Sequence, residues 1–176
     1  SFSESGEGGA GTAVARGKLG AKALENVEVI WRQTPKVQSP NHWGSRIVFR
    51  PDGTFYVTLG DRFNQRPLVQ DVSTTIGKIV RLNADGTIPK DNPLVGKEKY
   101  LQAIYSWGNR NVQGIAQHPL TGVIYASEHG PKGGDELNII KNGGNYGWPV
   151  ITYGIGYDDK VISEYTHKEG MEQPIT

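Results

Sequence analysis

Cysteine is absent from the 176-residue sequence. Its absence excludes disulfide bonds and thiolate metal sites, but it does not indicate a cellular compartment. Excess charge is absent too, because the formal net charge is +1. Without excess charge or a run of basic residues, there is no electrostatic case for nucleic acid as a partner.

Long apolar runs are missing as well. No stretch approaches the length of a membrane span, and no signal peptide is visible. The chain begins at Ser1 and stops at Thr176 without an obvious finishing element. We therefore expect residues 1–176 to form a single partial domain that is truncated at both ends.

Helical periodicity is the last absence, since no segment keeps a helical spacing of apolar residues over three turns. The sequence instead has 24 glycines and 10 prolines, which is typical of a turn-rich globular protein. Short β-branched and aromatic runs lie between the turns and predict strands. The predicted strands are 12–19, 27–32, 46–49, 55–59, 78–82, 103–107, 115–118, 123–126 and 136–140.

The first eleven residues are polar and rich in glycine, which predicts a loop. Gly6, Gly8 and Gly11 spell GxGxxG, the fingerprint of dinucleotide-binding domains. That fingerprint requires a strand before it and a helix after it. Residues 12–19 look like a strand, so the sequence disfavours a nucleotide site here.

Two stretches of similar plan recur along the chain, 47–61 and 115–130. Each has a strand, a turn with proline and glycine, a second strand and then a polar loop. Short strands with frequent turns indicate an all-β sandwich, barrel or propeller, and a repeated hairpin favours the propeller. Propeller repeats take roughly 40–50 residues, so a chain of this length holds about three to four blades.

Polar residues concentrate in two glycine-rich runs on either side of the predicted hairpin 115–126. We name residues 106–114 the RNxQ loop and residues 127–138 the HGPxGGDE loop. Polar groups in loops beside short apolar strands indicate a site displayed on a rigid β scaffold.

His42 precedes the first strand of the predicted hairpin 46–59, and Asp61 follows its second strand. The two residues therefore lie at the same end of the hairpin, where a carboxylate can orient a histidine for proton abstraction. The alternatives are a packed, hydrogen-bonded histidine beside Trp43 and an aspartate that caps backbone N–H groups in a turn.

Arg110, Asn111 and Gln113 place a guanidinium and two amides within four residues of the RNxQ loop. This combination suits a planar anionic ligand, because arginine binds carboxylates through two parallel hydrogen bonds. A solvated turn with an arginine salt bridge is the alternative.

The HGPxGGDE loop offers carbonyl oxygens at Gly130 and Pro131 and carboxylates at Asp135 and Glu136. Oxygen ligands without thiolates favour a hard cation, Ca²⁺ above Zn²⁺. The spacing matches neither a zinc-protease helix nor an EF-hand loop. A solvated turn at Asp135 and Glu136 is the alternative.

Several long motifs carry a resemblance to a known family. They are GEGGAGTAVARGKL (6–19), HWGSRIVFRPDG (42–53), GDRF (60–63), GKIVRL (77–82), GTIPKDNP (86–93), SWGNRNVQG (106–114), EHGPKGGDELN (128–138) and NYGWP (145–149). In these motifs the chain resembles the soluble quinoprotein aldose sugar dehydrogenases. These are the pyrroloquinoline quinone (PQQ) enzymes related to soluble quinoprotein glucose dehydrogenase. The resemblance covers nearly the whole chain and is least clear after about residue 155.

The resemblance implies a six-bladed β-propeller of four-stranded antiparallel blades, with PQQ and Ca²⁺ at the top of its central channel. It implies oxidation of the anomeric C1 hydroxyl of an aldose by hydride transfer to PQQ. An external electron acceptor and a periplasmic or secreted location are implied as well. In such chemistry Ca²⁺ is a Lewis acid on the quinone, while the protein supplies placement and electrostatics.

The resemblance also implies a role for each candidate site residue. His42 resembles the general base, and Asp61 resembles its acidic partner. The residues that resemble cofactor contacts are Arg110, Asn111, Gln113 and His129. Arg110 also resembles the residue near the reacting carbonyl, and some relatives have glutamine at position 129. Gly130 and Pro131 resemble residues whose backbone carbonyls bind a catalytic Ca²⁺ beside the cofactor. Glu136 and Tyr146 resemble the ligands of a second, structural Ca²⁺.

One departure from the family pattern concerns the lysine and arginine residues that clamp the PQQ carboxylates. They come from later blades, and nothing after Tyr146 supplies them. Because open sheet edges and an incomplete pocket would result, we expect this chain alone to be inactive or nearly so. The alternatives to an enzyme are a non-catalytic binding module and a propeller that uses calcium for stability alone. The joint presence of His42, Asp61 and Arg110 favours the enzyme.

Overall fold

The computed structural model describes residues 1–175. Its regular structure consists of β-strands and one turn of 3₁₀ helix at Arg66–Leu68. The strands are β1 (Phe2–Gly6), β2 (Gly9–Leu19), β3 (Leu24–Arg32), β4 (Gly44–Phe49), β5 (Thr54–Leu59), β6 (Lys78–Asn83), β7 (Ile104–Trp107), β8 (Val112–Gln117), β9 (Ile124–Glu128) and β10 (Glu136–Ile140). In this part of the chain no helix is long and apolar enough to cross a bilayer.

The strands form three antiparallel sheets, in the orders β1-β2-β3, β4-β5-β6-β7 and β8-β9-β10. Each sheet is a meander of neighbouring strands, as in the blades of a propeller. The expected all-β partial propeller is therefore confirmed, with three sheets in residues 1–175. The middle sheet has the expected four strands, whereas the outer two have three each within the described residues.

The central strand β5 shows how the sheets pack together. Every residue of β5 is buried. Phe55 and Val57 pack with Val14 of the first sheet, whereas Tyr56 packs with Val112 of the third. Because successive side chains of a strand point to opposite faces, β5 is covered on both. Its nearly continuous apolar sequence is therefore the sequence of a doubly buried strand.

The prediction of a loop over residues 1–11 is wrong. β1 and the start of β2 occupy this segment as a hairpin, with Gly6 paired to Gly9. Gly8 and Gly9 have φ angles of 81° and 135°, a region that glycine adopts at little cost. A Cβ on Gly9 would also lie 2.4 Å from the carbonyl of Val37. The glycines therefore serve a tight turn and a close backbone contact, and a strand follows them.

The predicted site residues lie at one end of two neighbouring hairpins. Gly44 pairs with Leu59 at this end of β4–β5, and Val112 pairs with Glu128 at this end of β8–β9. The Asp61 N–H donates a hydrogen bond of 2.7 Å to the carbonyl of Arg110, which joins the two hairpins. The sheets therefore bring the RNxQ loop beside the histidine and aspartate.

Candidate active site

His42 and Asp61 form a direct pair. The distance between His42 Nδ1 and Asp61 Oδ1 is 2.6 Å, and both side chains are largely shielded from solvent. A carboxylate only accepts hydrogen bonds, so Nδ1 carries the proton, and in the neutral imidazole Nε2 has the free lone pair. This arrangement makes Nε2 a proton acceptor of fixed orientation.

Asp61 has two further hydrogen bonds that fix its carboxylate. Oδ1 also accepts the backbone N–H of Phe63 at 2.8 Å, and Oδ2 accepts the indole N–H of Trp148 at 2.9 Å. Asp61 therefore caps a turn and orients the histidine at the same time. The role of Trp148 was missed from the sequence, although a buried indole N–H usually has an acceptor.

Arg110 is buried rather than solvated, so the interpretation of a solvated turn with a salt bridge is wrong. Its Nη1 donates to the carbonyls of His129 at 2.8 Å and Gly130 at 2.5 Å. Its guanidinium carbon lies 5.4 Å from the ring centre of Trp148 and 5.8 Å from that of Tyr157. It makes no ion pair within residues 1–175. A buried guanidinium without a carboxylate partner can bind an anion.

Glu128 is a buried carboxylate that the sequence analysis did not single out. It accepts the backbone N–H of Arg110 at 2.9 Å and the side-chain amide of Asn109 at 2.8 Å. Burial, and then the charge of Glu136 on the paired strand, raise the pKa of Glu128 to about 8. Glu128 therefore holds the middle of the RNxQ loop, at Asn109 and Arg110.

Asn111, Gln113 and His129 are linked to one another by hydrogen bonds. Gln113 Nε2 donates to Asn111 Oδ1 at 3.0 Å, and the Gln113 side chain and carbonyl accept the guanidinium of Arg46 at 3.2 and 2.9 Å. The His129 N–H donates to the Asn111 carbonyl at 3.1 Å, while the His129 side chain is exposed. Their contacts with a cofactor stay predictions.

The two predicted carbonyl ligands, Gly130 and Pro131, lie in a turn that Asp135 caps. Asp135 Oδ1 accepts the Gly130 N–H at 2.8 Å, and the Asp135 side chain is 71% exposed. The solvated-turn interpretation is therefore right for Asp135. The Gly130 carbonyl already accepts Arg110, whereas Pro131 is buried next to it.

The other predicted metal ligands are Glu136, at the start of β10, and Tyr146, in the segment after β10. Burial raises the pKa of Glu136, and Asn138 Nδ2 donates to its carboxylate at 3.0 Å. The Tyr146 hydroxyl donates to the carbonyl of Ile139 at 2.6 Å and accepts the N–H of Lys141 at 2.8 Å. The phenol is held by these two hydrogen bonds, so we take the backbone carbonyl as the metal ligand that Tyr146 offers. Across residues 1–175 no three acidic or histidine side chains converge on one point.

Comparison with known proteins identifies the family. The model of the glucose/sorbosone dehydrogenase family matches residues 1–176. The chain belongs to the glucose/sorbosone dehydrogenase family. Within this family it is 43% identical over 180 residues to aldose sugar dehydrogenase YliI of Escherichia coli K12, and the match covers 99% of this chain and 48% of that protein. It is 39% identical over 139 residues to quinoprotein glucose dehydrogenase B of Acinetobacter calcoaceticus, covering 69% and 28% of the two chains.

Solved structures of this family have the same fold. The apo form of the Escherichia coli soluble aldose sugar dehydrogenase matches with a TM-score of 0.94 and 41% identity, covering 99% of this chain and 51% of that one. The PQQ-bound aldose sugar dehydrogenase of Streptomyces coelicolor matches with a TM-score of 0.74 and 30% identity, covering 99% and 47%. The resemblance to PQQ-dependent sugar dehydrogenases is therefore confirmed. The chain spans about half the length of the curated relatives it matches.

Proposed function

We propose that the full-length protein carrying this chain oxidises the anomeric C1 hydroxyl of aldose sugars by hydride transfer to PQQ. An external acceptor then takes the electrons. The observation that carries the proposal is the His42 imidazole, held by the buried carboxylate of Asp61. The other oxygen of that carboxylate accepts the indole of Trp148, which lies over a buried guanidinium, that of Arg110, without an ion-pair partner in residues 1–175. The names of two relatives, a quinoprotein glucose dehydrogenase and a PQQ-bound aldose sugar dehydrogenase, support it.

His42 is the general base in this proposal. Its Nε2 takes the proton of the anomeric hydroxyl while the hydrogen on C1 leaves as hydride. Asp61 stabilises the imidazolium that forms and keeps the ring in the productive orientation. PQQ, when bound, supplies the hydride acceptor. His42 therefore accepts the proton, Asp61 stabilises the resulting charge, and the cofactor takes the electron pair.

The residues around Arg110 fit an anionic, planar cofactor. The guanidinium is buried and makes no ion pair within residues 1–175, and the aromatic rings of Trp148 and Tyr157 flank it. The amides of Asn111 and Gln113 follow in the same loop. We propose that these groups hold PQQ, and that the carbonyls of Gly130 and Pro131 hold the Ca²⁺ that polarises it. A carbonyl oxygen has two lone pairs, so Gly130 can bind Ca²⁺ while it accepts Arg110.

The residues around Glu136 fit a structural Ca²⁺. Glu136 lies opposite Glu128 across β9 and β10, and both carboxylates line a cavity of about 260 Å³. Asn138 Oδ1 is buried without a hydrogen-bond partner within residues 1–175. A buried and a half-buried carboxylate with raised pKa values, together with an unpaired amide oxygen, are a donor set for a hard cation. We propose that Ca²⁺ binds here, with the Tyr146 carbonyl as a further ligand.

The site in this chain covers one side of the proposed pocket. Because the chain covers 48% and 42% of two curated relatives, we propose that the remaining cofactor contacts come from other parts of the full-length protein. We expect residues 1–176 alone to show little or no turnover when supplied with PQQ, Ca²⁺, an aldose and an artificial acceptor. A periplasmic or secreted location also stays a prediction.

The assay that tests the function compares an aldose with its methyl glycoside. The full-length protein, loaded with PQQ and Ca²⁺, should oxidise the free aldose to its lactone and leave the methyl glycoside unchanged. Only the free sugar has an anomeric hydroxyl whose proton His42 can remove. Binding of the sugar without lactone formation would favour the alternative, a non-catalytic calcium-stabilised binding module.

A further inference from the structure

The loop that carries His42 packs against residues Gly60–Phe63. We call these four residues the GDRF segment. We name Ser39–Trp43 the base loop. A Cβ on Gly60 would lie 2.1 Å from the His42 carbonyl, so glycine alone permits this backbone approach. The next residue, Asp61, bonds the His42 ring, and the Phe63 ring meets that ring edge-on with centroids 5.3 Å apart.

Arg62 contacts three residues of the base loop, Ser39, Asn41 and Trp43. Its side chain is fully buried, and its guanidinium carbon lies 3.3 Å from the ring centre of Trp43. Nε donates to the carbonyl of Asn41 at 3.1 Å, and Nη2 donates to the carbonyl of Ser39. Nη1 reaches the carbonyl of Ala10 in β2 at 3.4 Å. One side chain therefore ties the residues before and after His42 to the first sheet.

The backbone at this contact needs such support. His42, Arg62 and Phe63 have φ angles of 52°, 54° and 64°, in the left-handed region. A residue other than glycine stays there at a cost of about 1–3 kcal/mol, and only where surrounding contacts hold it. Burial lowers the pKa of Arg62 to about 10, so the guanidinium is still charged at neutral pH. The backbone carbonyls therefore accept hydrogen bonds from a cation.

We propose that Arg62 is a positioning residue for the reaction, fixing the base loop so that His42 Nε2 stays aimed at the sugar hydroxyl. Because Arg62 acts through His42, this inference rests on the proposed function. The planar fork of arginine can reach two carbonyls and stack on an indole at once, whereas a lysine ammonium cannot. Asn41 and Trp43 flank His42 directly, so losing either contact loosens the backbone that carries the imidazole.

The test is a double-mutant cycle in the full-length protein loaded with PQQ and Ca²⁺. Arg62→Lys should lower kcat by about tenfold or more, because small misplacements of a catalytic group are costly. KM and the affinity for PQQ should change by less than about twofold, since the guanidinium of Arg62 is engaged by backbone carbonyls and by the ring of Trp43. In a His42→Gln background, Arg62→Lys should cause no further loss. Arg16→Lys, at an exposed arginine paired with Glu28, is the matched control and should leave kcat unchanged.

Two outcomes would overturn the inference. An unchanged kcat in Arg62→Lys would show that the contacts of Arg62 with the base loop are dispensable. An equal loss of kcat in the wild-type and His42→Gln backgrounds would show a purely structural role. Should Arg62→Lys not fold, Trp43→Phe probes the same base loop, because it removes the indole bond to the Pro40 carbonyl and keeps an aromatic ring. Its loss of kcat should likewise vanish in the His42→Gln background, and a loss that persists there contradicts the inference. If His42→Gln alone matches wild type, the proposed function fails instead.

Discussion

At the scale of single residues, the candidate site depends on how Asp61 shares its two carboxylate oxygens. One oxygen accepts His42 and a backbone N–H, and the other accepts the indole of Trp148. The same indole lies over Arg110. Trp148 therefore connects the partner of the proposed base with the proposed cofactor arginine, although its own chemistry is inert.

Trp148→Phe tests this connection. Phenylalanine keeps an aromatic ring beside Arg110 and removes the N–H that Asp61 accepts. Leaving a buried acceptor unpaired costs about 1–3 kcal/mol, and a less firmly held Asp61 orients His42 less well. We expect kcat of the full-length protein to fall roughly tenfold, with PQQ still bound, as measured by steady-state kinetics and cofactor titration.

Trp31→Phe serves as the control, because Trp31 packs in the core between the first two sheets and has no part in the site. It should lower stability and leave kcat unchanged. If Trp148→Phe keeps wild-type kcat, or loses PQQ before it loses turnover, the proposed link between Asp61 and Trp148 is wrong.

His42 and Asp61 could be paired from the sequence because a hairpin places its two ends together. The partner Trp148 could not, since it lies 87 positions from Asp61 and no local pattern links them. The burial of Glu128 could not be predicted for a similar reason. A lone glutamate in a strand is normally expected to be exposed, and Glu128 is buried because it packs against the RNxQ loop. Arg62 was visible as part of the GDRF motif, but the carbonyls it binds were not.

At the scale of elements, the segment between β5 and β6 depends on a buried lysine. Lys78 Nζ donates to the carbonyls of Leu68, Val69 and Ile76 at 3.2, 2.7 and 2.6 Å. Val69 and Ile76 pack against Trp148. Lys78 therefore anchors an irregular segment that supports the tryptophan of the site.

A pH series on Lys78→Met tests this anchor. Burial lowers the pKa of Lys78 from its ordinary value of 10.5 to about 7. At pH values between these two pKa values, the unfolded chain binds the proton more tightly than the folded one. The free energy of unfolding therefore increases as the pH rises. We expect the stability advantage of wild type over Lys78→Met to grow from pH 7 towards pH 10, measured by denaturant unfolding of the full-length protein.

If the stability difference between wild type and Lys78→Met stays constant from pH 7 to pH 10, the three carbonyls keep Lys78 protonated. That result would contradict the expected effect of burial. Lys97→Met, at an exposed position, is the control and should show no such trend.

The strands were largely predictable because their apolar runs are short and their turns are marked by glycine and proline. The first hairpin was not, since the glycine-rich composition of residues 1–11 is shared by loops and tight strand pairs. What separates them is the close contact of Gly9 with the Val37 backbone, which only the folded chain contains. The face buried by each strand was likewise set by tertiary packing, as β5 shows.

At the scale of the whole molecule, the candidate site is shared between two sheets. His42 and Asp61 flank β4 and β5, while Arg110 and Gly130 flank β8 and β9. The backbone bond from Asp61 to Arg110 fixes the two groups relative to each other. The carboxylates of Glu128 and Glu136 lie in the third sheet, so a cation bound there would stabilise the sheet that carries Arg110.

Calcium should therefore raise the thermal stability of the full-length protein. We expect removal of Ca²⁺ by a chelator to lower Tm, because ligand binding to the folded state alone stabilises it. Glu136→Gln should abolish most of this Ca²⁺-dependent shift. Asp135→Asn, at the exposed neighbour, should retain it. Equal calcium dependence in the Glu136→Gln variant and wild type would place the cation elsewhere.

The central claim is that His42 is the base for sugar oxidation, and pre-steady-state reduction of bound PQQ measures it most directly. In the full-length protein, His42→Gln should slow single-turnover PQQ reduction by an aldose by about 100- to 10,000-fold, the usual contribution of a general base. His118→Gln, at an exposed histidine in a turn, should reduce PQQ at the wild-type rate. A wild-type rate in His42→Gln, with PQQ bound and the sugar oxidised, would contradict the account.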